Sequence, residues 1–83
     1  MKKEVVVSDF TEKRENAFAE LVHVACQFDS RITLESNNRR INAKSIMGIM
    51  AFNPSRGMTV NIETEGQDES EALSALEDFL VNC

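Results

Sequence analysis

The apolar positions change period along the chain, and each change marks an element. Glu4-Val5-Val6-Val7 is a short β-branched run and predicts a first strand. From Ala17 the apolar residues Phe18, Leu21, Val22, Ala25 and Phe28 recur at helical spacing, one face of an amphipathic helix. Two starts are open for that helix. Thr11 would cap it early, ahead of the good helix formers Glu12 to Glu15, and Asn16 would cap it late. Arg31 to Glu35 alternates and predicts a strand with Ile32 and Leu34 inward. Ser36-Asn37-Asn38 is turn chemistry, since Asn tolerates positive φ, and Arg39 to Asn42 is the return strand of a hairpin.

Ser45 stands at the head of Ile46-Met47-Gly48-Ile49-Met50, an N-cap signal before one short helix. Asn53 to Gly57 is a loop. Met58 to Thr64 alternates cleanly as a strand. Gly66-Gln67 is a turn. Asp68, with Glu71 three residues on, reads as a capping box before a last helix lined by Ala72, Leu73, Leu76, Phe79 and Leu80. The order is βαββαβα. It predicts an α+β open-faced sandwich, a mostly antiparallel sheet with its helices on one face. Thr33, Glu35, Thr59, Asn61 and Glu63 should line the bare polar face.

Composition narrows the function. Eighty-three residues make a single domain, 1–83. No apolar run approaches the roughly 20 residues of a membrane span, and the basic start lacks the apolar core of a secretory signal. A cytoplasmic protein is expected. All nine bases precede residue 57, while the last third holds seven acids and no base. That balance opposes nucleic-acid binding, for which Arg39-Arg40 with Lys44 is the nearest thing to a basic cluster. Cys26 and Cys83 have neither metal-ligand spacing nor a disulfide framework around them, so no metal or cofactor is expected. His23 is the sole histidine and stands on a helix without a recognisable acid–base set.

The segment Ile41-Asn42-Ala43-Lys44-Ser45-Ile46-Met47-Gly48-Ile49-Met50 is more specific. It resembles the regulatory-serine segment of the HPr family, the histidine-containing phosphocarriers of the bacterial sugar phosphotransferase system. The likeness runs over almost the whole chain. It takes in the element order, Phe28-Asp29-Ser30 before the second strand, Gly57 before the fourth, and Gly66 to Leu73 opening the last helix. It implies an HPr-like open-faced β-sandwich, a four-stranded antiparallel sheet covered on one face by three helices. Family members carry a Gly-Ile/Leu-His-Ala-Arg-Pro stretch before the first helix. Ungapped alignment back from Ser45 puts Arg14 at the active-site histidine, Asn16 at the arginine and Ala17 at the proline. Arginine stays protonated and cannot serve as the neutral nitrogen nucleophile. The resemblance therefore implies a member without histidine phosphocarrier activity, and no enzyme.

The Crh branch, catabolite-repression HPr, lacks the histidine and keeps the serine. The likeness to it implies phosphorylation of Ser45 by HPr kinase/phosphorylase, and a catabolite-control repressor as a further partner. Crh keeps the Ala-Arg-Pro that this chain lacks, so Asn16 weighs against the repressor more than against the kinase. Ile46, Met47 and Met50 would be the partner-docking patch. Arg14 and Asn16 would contact phosphate or partner, with Lys13 and Arg14 as a plain solvated helix start the other reading. In such a fold the start of the first helix lies near the short helix. Two readings of Ser45 stand side by side, a phosphoacceptor and a simple cap in an HPr-fold binding module that is never phosphorylated. A third, His23 as an unusual phosphate acceptor, has no supporting constellation. Crh relatives dimerise by exchanging their first strand, which the short Val5–Val7 segment permits. Asn53 replaces a glycine usual in the family. As the residue before Pro54 it is expected to be extended, giving that loop its own shape.

Overall fold

The computed structural model describes residues 1–8 and 16–81. Four strands, β1 (Lys2–Val6), β2 (Arg31–Ser36), β3 (Arg39–Asn42) and β4 (Thr59–Glu65), form one antiparallel sheet in the order β1-β4-β2-β3. Three helices, α1 (Ala17–Cys26), α2 (Ile46–Phe52) and α3 (Glu69–Val81), complete the α+β sandwich. α3 lies across β1, β4 and β2, α2 sits beside β3, and α1 packs on both other helices. No helix among the described residues is long and apolar enough to cross a membrane.

The register explains the core. Val5 faces Val60, Leu34 faces Ile62 and Ile41, and Ile32 faces Thr64. These residues share the face that Leu21, Ala25, Ile49, Phe52, Leu76 and Leu80 close from above. Asn37 and Asn38 have φ of 52° and 65°, so the β2–β3 hairpin turns on two left-handed asparagines.

Several local expectations change. β1 starts at Lys2, earlier than the valine run, because Lys2 and Lys3 find partners opposite Glu63 and Ile62. Lys3, on the helix side, also pairs with Glu77 of α3 at 2.7 Å. Val7 lies past the strand but stays tied, donating to the Met58 carbonyl and accepting from Gly57 N–H. Thr33 belongs to the polar face yet is buried. It lies between Asn42 and Glu63, and the Arg40–Glu63 ion pair, at 2.9 Å, spans β2 from the strands on either side.

α1 begins after Asn16, the later of the two starts, but the Asn16 side chain makes no capping bond. Its carbonyl takes the Glu20 N–H instead. Asp68 is not spent on a capping box. One carboxylate oxygen accepts from Asp29 N–H, and the other from both the N–H and the hydroxyl of Ser30. The Ser30 hydroxyl bond, followed by that from Asp29 N–H, holds the Asp68 carboxyl below its ordinary pKa. Asp68 thus fastens the start of α3 to the α1–β2 connection.

Candidate functional site

The site begins where β3 ends. Asn42 turns the chain with both its oxygens, Oδ1 accepting from Lys44 N–H at 2.8 Å and the carbonyl from Ser45 N–H at 3.0 Å. Between them Ala43 is buried and donates to the Ile32 carbonyl, which anchors the turn to β2. Ser45 emerges extended, φ −106° and ψ 117°, and its hydroxyl oxygen accepts from Gly48 N–H at 3.2 Å. This is the N-cap that the sequence predicts. The hydroxyl is half-buried, at the open amide end of α2.

α2 has seven residues. Ile49 and Phe52 point into the core. Ile46, Met47 and Met50 fall on the opposite side, with exposures of 40%, 79% and 61%. They are three of the five large apolar side chains exposed among the described residues, and the only three that adjoin one another on a single helix. Ile46, Met47 and Met50 thus form an exposed apolar surface beside Ser45.

The C-terminal end of α2 corrects one expectation. Asn53 is left-handed, φ 51° and ψ 63°, rather than extended, although Pro54 follows it. Its N–H donates to the Ile49 carbonyl at 2.8 Å, and its own carbonyl accepts from the Ser55 hydroxyl. The helix needs a left-handed residue to turn away, and Asn supplies it where glycine would otherwise stand. Arg39 adds a second closure, its Nη2 donating to the Ala51 carbonyl at 2.6 Å.

Lys44 is held at three points. Its N–H bonds Asn42, its carbonyl accepts from Cys26 Sγ at 3.9 Å, and its Nζ donates to the Phe28 carbonyl at 2.6 Å. The cation beside Ser45 is thus committed to the end of α1. At 1.5 Å per residue that end lies roughly 15 Å from the helix start. No described contact brings Asn16 to Ser45, and Arg14 lies outside the described residues. His23 is exposed near the end of α1. Cys26 is an exposed free thiol, and Cys83 falls outside the described residues. Among the described residues no cluster of three His, Cys, Asp or Glu side chains is placed to hold a metal ion. Neither Arg39 nor Lys44 is marked as a helix clamp by the sequence, since each rests on a partner twelve or sixteen positions away.

Comparison with known proteins bears on this arrangement directly. The family model for the phosphotransferase-system HPr component phosphorylation site matches residues 1–82. The phosphocarrier protein HPr of Xylella fastidiosa is 35% identical over 79 residues, covering 95% of this chain and 89% of its own. The crystal structure of HPr from Bacillus anthracis superposes with a TM-score of 0.89 at 38% identity, over 96% of this chain and 95% of the other. Crh of Bacillus subtilis, a catabolite-repression protein described as an intertwined, domain-swapped dimer, superposes with a TM-score of 0.72 at 33% identity, over 90% of this chain and 82% of its own. With its four-stranded sheet, its three helices and a serine capping the short helix, the chain belongs to the HPr family.

Proposed function

We infer that this chain is a regulatory HPr homologue of carbon metabolism, without histidine phosphocarrier activity, controlled by phosphorylation of Ser45. The observation that carries the reading is the placement of Ser45. Its hydroxyl caps α2 at a half-buried, reachable position, beside an exposed surface of Ile46, Met47 and Met50. In the transfer, Ser45 Oγ attacks the γ-phosphorus of ATP, ADP leaves, and the hydroxyl proton is released. The phosphate formed would sit by the first-turn amides and positive dipole end of α2, where negative charge is favoured. Docking on the apolar surface then passes the signal to partners. HPr kinase/phosphorylase is the first, and a catabolite-control repressor the second.

Arg14 stands at the position of the family's phosphorylated histidine, and the remaining histidine, His23, lies nine residues further on. This supports a chain that is a substrate and a docking protein rather than a catalyst. Asn16 stands at the start of α1 and Arg14 precedes it in the sequence; both are the proposed phosphate or partner contacts. Homodimerisation, as described for Crh, is compatible with β1 lying at the sheet edge. Its place of action is the cytoplasm.

One observation favours a second reading. The Ser45 hydroxyl already satisfies Gly48 N–H, which is all that a structural cap requires. The chain would then be an HPr-fold docking module that is never phosphorylated. Incubation with ATP and HPr kinase/phosphorylase, followed by mass spectrometry, separates the two. One phosphate on Ser45, absent from Ser45→Ala, supports control by phosphorylation. An unmodified chain beside authentic HPr labelled in the same tube supports the docking module. Phosphoenolpyruvate with Enzyme I should leave the chain unlabelled, and label on His23 would overturn the loss of phosphocarrier activity.

A further inference from the structure

A seven-residue helix cannot hold itself together in water, because nucleation is costly and few bonds follow it. α2 buries only Ile49 and Phe52, so its ends matter. At the first end the Ser45 hydroxyl takes Gly48 N–H. At the last end, carbonyls that have no partner within the helix need donors. Asn53 N–H serves Ile49, and Arg39 serves Ala51. Arg39 comes from another element. It stands on β3 two positions from Ile41, hence on the face that carries the helices, and β3 packs along α2. Its guanidinium brings a full positive charge to the negative end of the helix dipole.

We propose that Arg39 is a positioning residue that clamps α2 from the sheet and acts on the same opening equilibrium as the Ser45 cap. α2 is short enough to open as a unit. A change in the Ser45 hydroxyl is then felt at Met47 and Met50, and Arg39 adds its own increment to the free energy of the same opening. The consequence for docking rests on the reading of α2 given above; the shared opening itself does not, and it is measurable on the unphosphorylated protein.

The test is amide hydrogen exchange by NMR on the whole chain. It compares wild type, Arg39→Ala, Arg39→Lys, Ser45→Ala and the double Arg39→Ala/Ser45→Ala variant. The reporters are the amides of Gly48, Ile49 and Asn53, whose acceptors are Ser45 Oγ, the Ser45 carbonyl and the Ile49 carbonyl. Arg39→Ala should speed exchange roughly fivefold to tenfold, the size of one net hydrogen bond. The same factor should appear at Ile49, whose N–H closes the first turn on the Ser45 carbonyl, as at Asn53. In the double variant the single factors should multiply at Ile49 and Asn53. The Met47 and Met50 methyl signals should move along one line from wild type through the single variants to the double. Only one guanidinium nitrogen is used, so Arg39→Lys should recover most of the protection. Acceleration confined to Asn53 would overturn the proposal, as would Arg39→Lys behaving like Arg39→Ala. A kinase that ignores Ser45 would leave these results untouched.

Discussion

Three glycines offer one substitution in three physical settings, and the structure orders their outcomes. A Cβ built on Gly66 would lie 2.6 Å from Ser30 Oγ, 2.8 Å from Ser30 Cα and 3.0 Å from Ser30 Cβ, at φ +151°. Cα belongs to the backbone and cannot swing aside. To admit the methyl, Ser30 must retreat from Asp68, which it contacts through both its N–H and its hydroxyl. The backbone strain is worth about 1–3 kcal/mol, and the overpacking a further 1–3 kcal/mol. Stiffening of the unfolded chain returns only about 0.4–1 kcal/mol. Gly66→Ala should therefore cost about 3 kcal/mol, a large share of the roughly 4–12 kcal/mol that a chain of this size can have. Gly57, at φ +84° with nothing within 4 Å of the built Cβ, carries the strain alone, and Gly57→Ala should cost about 1 kcal/mol. Gly48 is helical, and its nearest neighbours, Ser45 Cβ and Oγ, stand at 3.4 Å, ordinary contact. Gly48→Ala should stabilise by up to about 1 kcal/mol through helix propensity. The chain has no Trp or Tyr, so urea unfolding is followed by far-ultraviolet circular dichroism. At roughly 1 kcal/mol per M, Gly66→Ala should move the midpoint down by about 3 M. A Gly66→Ala midpoint no lower than that of Gly57→Ala would refute the close approach of Gly66 to Ser30.

Two further outcomes follow from the caps and the tether. Ser45→Ala removes the acceptor for Gly48 N–H and should cost about 1 kcal/mol in the same urea assay; no change would mean the cap is idle. Asp68 has its folded pKa lowered by Ser30 and Asp29, so its stabilisation is complete above the unfolded value of about 3.9 and is lost as pH falls through the lower folded one. The gap between the midpoints of wild type and Asp68→Asn should be flat above pH 5 and shrink on acidification below about pH 4. A gap that widens on acidification would reverse the sign of the linkage.

Periodicity made the framework legible, because burial on one face imposes a spacing that any strand or helix must respect. β3 and the β2 start agree with the sequence to the residue, as does the Ser45 cap of α2. What periodicity does not carry is where a polar side chain spends its bonds. Asp68 and Glu71 have the spacing of a capping box, yet the Asp68 carboxylate reaches 38 and 39 positions back to Ser30 and Asp29. Nothing local distinguishes the two uses, since both satisfy backbone donors with the same oxygens. Thr33 is hidden for a related reason. It lies between Asn42 and Glu63 of the two flanking strands, under the span of the Arg40–Glu63 ion pair, and a pattern read along one strand cannot contain those neighbours.

Asn53 shows how two valid local rules are arbitrated. The residue before a proline is pushed towards extended backbone, and asparagine after a helix favours the left-handed region. The three non-glycine residues at positive φ among those described are all asparagine, so the side-chain preference is used consistently in this chain. At Asn53 the deciding factor is the helix end. An extended Asn53 would keep its N–H on the Ile49 carbonyl, since the preceding residues set that bond, but would send the following chain, with the buried Pro54, in another direction. With Ile49 and Phe52 held in the core, only the left-handed turn brings Pro54 to its buried place and the loop back to Val7, which binds Gly57 and Met58. Tertiary burial thus selects between the local rules, and the same burial points Ile46, Met47 and Met50 outward beside Ser45. The candidate site is the solvent side of a helix whose core side fixed its ends.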